Sequence, residues 1–142
     1  MLLKTLALTN FKNIASASLE FSPKINCLLG NNGMGKSNLL DAIHFLSFAK
    51  SFSRLPDAML IRRGEDFGII NGHYERHGAD EEINVGLRRG ARKSFRRGGK
   101  EYKRISAHIG LFPAVMSAPA DQSLITEGSE ERRRFIDMII SQ

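Results

Sequence analysis

Tryptophan is absent from this chain, tyrosine occurs twice and cysteine once. The lone Cys27 excludes an internal disulfide framework and a multi-cysteine zinc site, and it fits a reducing, cytoplasmic setting. No apolar run approaches the ~20 residues that a membrane-spanning helix needs. The opening Met1-Leu2-Leu3-Lys4-Thr5 lacks the basic-then-apolar order of a secretory signal. Internal repeats and low-complexity tracts are missing too. What remains is 142 residues, 42% hydrophobic and 25% charged, the composition of one ordinary globular domain.

The net charge is +6, and it is not evenly spread. Residues 1–87 carry nine basic and nine acidic side chains, residues 88–104 nine basic and one acidic, and residues 105–142 three and five. The excess therefore sits between Arg88 and Arg104. Such a cluster can release counterions from a nucleic-acid backbone, or it can be a solvated hairpin. Aromatic residues are scarce there, with Phe95 and Tyr102 alone, so phosphate contact suits it better than base stacking.

Along the chain, Leu2–Thr9 and Ser18–Phe21 read as strands around the turn Asn10-Phe11-Lys12-Asn13. Ile25-Asn26-Cys27-Leu28-Leu29 reads as a strand buried on both faces, with Cys27 a small buried hydrophobe. Residues 36–48 have helical spacing, and Asp57–Ile61 suit a short helix or turn. Phe67–Tyr74 and Glu82–Leu87 read as strands. Arg92–Arg97 and Glu101–Ile105 flank Gly98-Gly99 as a hairpin, and Ala114–Ser117 suits one more strand. A last helix is expected from Ser129, with Phe135, Ile136, Ile139 and Ile140 on one side. It reaches Gln142 without a C-cap signal, which points to a longer parent chain.

The run Gly30-Asn31-Asn32-Gly33-Met34-Gly35-Lys36-Ser37 fits G-x-x-x-x-G-K-[ST] at every fixed position. Average residue usage would produce it by chance roughly once in 200 chains of this length. An apolar run precedes it and a helix pattern follows, the context of a phosphate-binding loop. The glycines let the backbone wrap an anion so that several N–H groups converge on it, and the helix start adds its positive dipole end. Lys36 is expected at the β- and γ-phosphates and Ser37 at Mg²⁺.

Turnover also needs an acid for the metal and a group that positions water. No apolar strand ending in an acid follows residue 50. Asp41, on the loop's own helix, reads as exposed or capping, and Asp137 falls inside a helix. His73 and His77 lie at a strand end rather than along a helix, a poor metal pair, and His44 and His108 read as ordinary helix residues. Arg132-Arg133-Arg134 oppose the dipole at a helix start, which suits gripping a phosphate or a neighbouring domain.

Further residues carry a resemblance. Leu8-Thr9-Asn10-Phe11-Lys12-Asn13 resembles the opening L-x-N-F-[RK]-N of the RecF family of bacterial DNA replication and repair ATPases. Gly30–Asn38 resembles its phosphate loop, with Asn32 and Asn38 in the matching places, and Asn38-Leu39-Leu40-Asp41-Ala42-Ile43 its next block. Ser51-Phe52, Leu60-Ile61-Arg62, Pro119-Ala120-Asp121, Leu124-Ile125, Gly128-Ser129 and Arg132–Asp137 follow in collinear order. Lys12 stands where arginine is commoner and Ser117 where an aromatic is frequent. Members of the family run to more than twice this length, with signature motif and magnesium acid in the part beyond.

The resemblance implies an α/β fold: a P-loop NTPase of the ABC-ATPase head type with an antiparallel β subdomain, incomplete at the C-terminus. Residues 1–142 would be the N-terminal part of one head domain. ATP and Mg²⁺ are the implied cofactors, with Gly30, Asn31, Asn32, Gly33, Met34, Gly35, Lys36, Ser37, Asn38, Lys12 and Asn13 at the nucleotide. Ser37 and Gln122 are the implied metal residues. DNA with gaps or double-/single-strand junctions, mediator proteins of recombinase loading, and a second ATP-bound copy are the implied partners. Arg88, Arg89, Arg92, Lys93, Arg96, Arg97 and Lys100 are expected to face DNA. Two other readings stay open: a small P-loop phosphotransferase, and a basic DNA-binding module with a vestigial loop.

Overall fold

The structure, a computed structural model, describes residues 1–119 and 129–140. Its frame is a six-stranded antiparallel sheet in the order β2-β1-β3-β4-β5-β6. The strands are β1 (Leu2–Phe11), β2 (Ile14–Glu20), β3 (Phe67–Arg76), β4 (Ala79–Arg88), β5 (Ser94–Arg97) and β6 (Lys100–Glu101). Three hairpins close through two-residue connections. His77-Gly78 and Gly98-Gly99 have positive φ at both positions, the geometry whose twist matches paired strands. Lys12, in the β1–β2 turn between the paired Phe11 and Ile14, is left-handed at φ 51°.

Alternation along the strands builds the core. Leu6, Leu8, Ile70, Tyr74, Ile83, Val85, Leu87 and Phe95 are buried on one face. Helix α1 (Lys36–Phe48) contributes Leu39, Ala42, Phe45 and Leu46 to the same core. Gly72 lets the helix approach, since a Cβ there would lie 2.6 Å from Leu46 Cδ1. The other face carries Ser16, Ser18, Thr5, Asn71, His73, Glu82 and Arg96 in register. A second helix, α2, spans Ser129–Ile140, with Ile136 and Ile140 exposed.

The end of α1 is completed from far along the chain. Its last turn contains no basic residue, and Ala49 caps it in the left-handed conformation at φ 54°. His108 Nε2 donates to the Leu46 carbonyl at 2.6 Å, and Lys93 Nζ donates to the Ala49 carbonyl at 2.6 Å. These contacts satisfy the carbonyls that a helix end leaves open and place a cation at its negative end. His108 is therefore a core residue following a short 3₁₀ turn, not a helix residue, and Tyr102 OH lies 3.1 Å from its Nδ1.

Burial holds the His108 and His44 imidazoles below their ordinary pKa of 6.5. A histidine kept neutral in the fold but free to protonate when unfolded adds stability above pH ~6.5, and that contribution is lost as pH falls. The thermal midpoint is expected to drop from about pH 7.5 to 5.5, before carboxylates titrate. In a His44→Gln/His108→Gln variant the slope over that window should flatten. An equal slope in both would remove the histidines as its cause.

Two expected strands do not form. Ala114–Ser117 follows an irregular path, and so does the apolar run before the glycine loop. There Ile25 and Leu29 are 83% and 91% exposed, and Cys27 is exposed rather than buried. An apolar strand of this kind is stable with a neighbouring strand on each side and a layer over each face. Among the described residues nothing pairs with it.

Candidate functional site

The glycine-rich loop, residues 30–35, turns directly into α1. Gly33 and Gly35 have φ of 81° and 97°, a region that side chains with a Cβ rarely enter. Gly35 has a second constraint, because a Cβ there would lie 2.9 Å from Asn13 Oδ1. Gly35 is the N-cap and has no side chain to offer, and the first turn holds no acid. The opening N–H groups of α1 thus keep no side-chain partner, and the positive end of the helix faces the loop.

Lys36 reaches back over the loop. Its Nζ donates to the Gly30 carbonyl at 2.6 Å and the Asn31 carbonyl at 2.7 Å. A hollow of about 190 Å³ is lined by Asn32, Gly33, Gly35, Lys36, Ser37 and Asn38, with the Ser37 side exposed. On the other flank a wider groove of about 850 Å³ runs between β2 and residues 27–31. Backbone N–H groups, a lysine and a hydroxyl around one small hollow are the donor set for a polyphosphate and its cation.

The β1–β2 turn buttresses the loop. Asn13 Nδ2 donates to the Gly33 carbonyl at 2.8 Å, and Asn13 Oδ1 accepts from Asn38 Nδ2 at 2.8 Å. Lys12, its neighbour, is turned elsewhere: Nζ lies 2.6 Å from Asp41 Oδ2, both side chains buried. Asp41 also accepts from Ser51 Oγ at 2.7 Å and from the Phe52 N–H at 2.5 Å. Asp41 is thus neither exposed nor a cap. It ties the turn, the helix and the segment after the helix together. Its burial has no periodic signature, because neighbours at Ala42, Phe45 and Leu46 already account for the core face.

Ser37 lies at the hollow, whereas Gln122 lies outside the described residues. Among the described residues no cluster of three or more acidic, histidine or cysteine side chains is placed to hold a metal alone. His73 faces Glu82 at 3.7 Å across the sheet, and His77 forms the β3–β4 turn.

The basic cluster divides in two. Lys93 pairs with Asp57 at 3.0 Å and sits 5.0 Å from the Phe45 ring centroid, besides capping α1. Arg97 forms a two-pronged pair with Glu81, whose carboxyl it holds below the usual range. Arg89 donates to the carbonyls of Glu65 and Ala58. These three are tied to other groups of the fold, Arg89 while itself exposed. Arg88, Arg92, Arg96 and Lys100 are exposed and carry no ion pair among the described residues.

No helix among the described residues is long and apolar enough to cross a membrane. The DNA replication and repair protein RecF of Parabacteroides distasonis is 54% identical over 142 residues, all of this chain and 39% of that protein. RecF of Bacteroides fragilis is 52% identical over 143 residues, again 39% of its length. The chain thus spans about two fifths of the curated relatives it matches. Among solved structures, the recombination mediator protein RecF with ATP, of the RecFOR pathway, is 31% identical with a TM-score of 0.90, covering 99% of this chain and 39% of that one. An SMC head domain from Thermotoga maritima, 23% identical with a TM-score of 0.61 over 72% of this chain and 39% of that one, shares the fold. The sheet-and-helix frame is accordingly that of the N-terminal part of a P-loop ATPase head. Residues 2–104, which hold the whole sheet, the glycine loop and α1, match the RecF/RecN/SMC N-terminal domain, and the chain belongs to that family.

Proposed function

We propose that residues 1–142 form the ATP-binding N-terminal part of one RecF-like head domain, working in DNA replication and recombinational repair. The observation that carries this reading is the hollow at the start of α1, where loop N–H groups, Lys36 and Ser37 converge. The glycine loop from Gly30 to Asn38 holds the phosphates, with Lys36 leaving its own carbonyls for the β- and γ-oxygens. Asn13 stands beside the loop, and Lys12 joins on exchanging Asp41 for phosphate. Ser37 suits Mg²⁺ through its hydroxyl, with Gln122 as second ligand. The ion supplies neutralisation of phosphate charge.

Hydrolysis requires an acid and a water-positioning group, which this reading assigns to residues beyond the described ones and to a second copy across an ATP-dependent dimer. Arg88, Arg92, Arg96 and Lys100 contact the backbone of DNA, gapped or at a double-/single-strand junction. Mediator proteins that load recombinase are the partners, in the cytoplasm. Relatives named for DNA replication and repair, and one solved with ATP, support this assignment.

Calorimetry of ATP·Mg²⁺ binding to the wild type and to Lys36→Ala tests it. Removing a charge-assisted contact to phosphate is expected to weaken binding about 100-fold, with the thermal midpoint unchanged. Equal binding by both proteins would leave the loop vestigial. Steady release of phosphate by this chain alone would revive the phosphotransferase reading.

A further inference from the structure

Asn13 uses both ends of its amide on protein groups. Nδ2 holds the Gly33 carbonyl at 2.8 Å, while Oδ1 is held by Asn38 Nδ2 at 2.8 Å. In a planar trans peptide the carbonyl and the following N–H point in opposite directions. Drawing the Gly33 carbonyl towards the β1–β2 turn therefore sends the Met34 N–H the other way, across the loop. It does point there, lying 3.4 Å from the Asn31 carbonyl that Lys36 also holds. At 3.4 Å that contact is too long to fix the peptide by itself. Gly33, at φ 81° with open space where a Cβ would sit, has no side chain of its own to fix its ψ. The reversed peptide would aim a carbonyl oxygen where the phosphates need a donor, replacing attraction by repulsion.

We propose that Asn13, oriented by Asn38, is a positioning residue that sets the flip state of the Gly33–Met34 peptide and so pre-organises the loop for phosphate. This rests on the nucleotide-binding reading and goes beyond it, since Asn13 acts through the loop and not through the nucleotide. Asn38 supplies the orientation: without its donor, the Asn13 amide can rotate and present oxygen to the Gly33 carbonyl. The close approach of Asn13 Oδ1 to Gly35 fits the same role, because the amide plane is wedged against the loop backbone.

The experiment compares the full chain with Asn13→Ala, Asn38→Ala and the double variant, using ATP·Mg²⁺ calorimetry and hydrogen exchange at the Met34 amide without nucleotide. Lys36→Ala serves as the control for the site itself. Losing the contact to Gly33 should weaken ATP binding about tenfold and speed Met34 exchange, with the thermal midpoint little changed. The double variant should be no weaker than Asn13→Ala, as expected for two residues acting in series. Additive losses, or weaker ATP binding with Met34 exchange unchanged, would mean direct contact with the nucleotide and overturn the proposal. A wild type that fails to bind ATP would sink the nucleotide reading alone, because the exchange measurement still decides whether Asn13 holds the peptide.

Discussion

Replacing Asp41 by alanine is expected to lower stability by about 3–5 kcal/mol, because it strands a buried ammonium. The Lys12 and Asp41 side chains are 10% and 3% exposed and meet at 2.6 Å. Among the described residues Lys12 would then keep no ion-pair partner, and Ser51 Oγ and the Phe52 N–H would lose their acceptor as well. Water cannot easily take over at that depth, so each orphaned group adds its own desolvation cost. A Lys12→Met/Asp41→Leu pair removes both charges together and should recover much of the loss. Denaturant melts of the single and double variants check this. An Asp41→Ala protein within ~1 kcal/mol of wild type would show that the ion pair contributes no net stability.

The second large effect concerns nucleic acid. Changing Arg88, Arg92, Arg96 and Lys100 together to serine is expected to weaken binding to a DNA duplex about 100-fold or more at low salt. It should also flatten the slope of log affinity against log salt by about three to four. All four are exposed, so the thermal midpoint should hold. Lys93→Met should behave in the opposite way, lowering the midpoint and leaving the salt slope alone, since Lys93 is committed to Ala49, Asp57 and Phe45. Titrations by fluorescence anisotropy at several salt concentrations separate the two. If Lys93→Met shifts the slope as much as the fourfold change does, the division of the cluster is wrong.

That division shows where the sequence is legible. A run of nine basic residues in seventeen is visible as charge, but charge carries no label of partner. Arg97 and Arg96 are neighbours in the chain, yet one faces Glu81 on the core side and the other the open side. The side-chain alternation of a strand decides this, once the register is known. The last hairpin was readable from Gly98-Gly99, and α1 from its apolar spacing.

Long-range polar contacts were not readable. Lys12 meets Asp41, and Asn13 meets Asn38, through the crossing of a turn over a helix, which no local pattern encodes. His108 could have been suspected from its place among Phe95, Tyr102 and Phe112, of which Phe112 stacks on its ring, Tyr102 meets it edge-on and Phe95 is tilted against it. The run Ile25–Leu29 misled for a different reason. Its residues have strand character, but a strand is a relation between neighbours, and the described residues offer it none.

The cap that Lys93 places on α1 bears on the order in which the chain can assemble. As synthesis passes residue 49, the helix has all its core side chains but faces water at its negative end. Forty-four residues must follow before the ammonium that completes it is made. In that interval α1 is short, at thirteen residues, and near the length at which an isolated helix is marginal. Helix and distal hairpin thus belong to one cooperative unit. Any division of the gene between codons 49 and 93 would produce two pieces, one lacking a terminus for its helix and the other holding a lysine with nothing to cap.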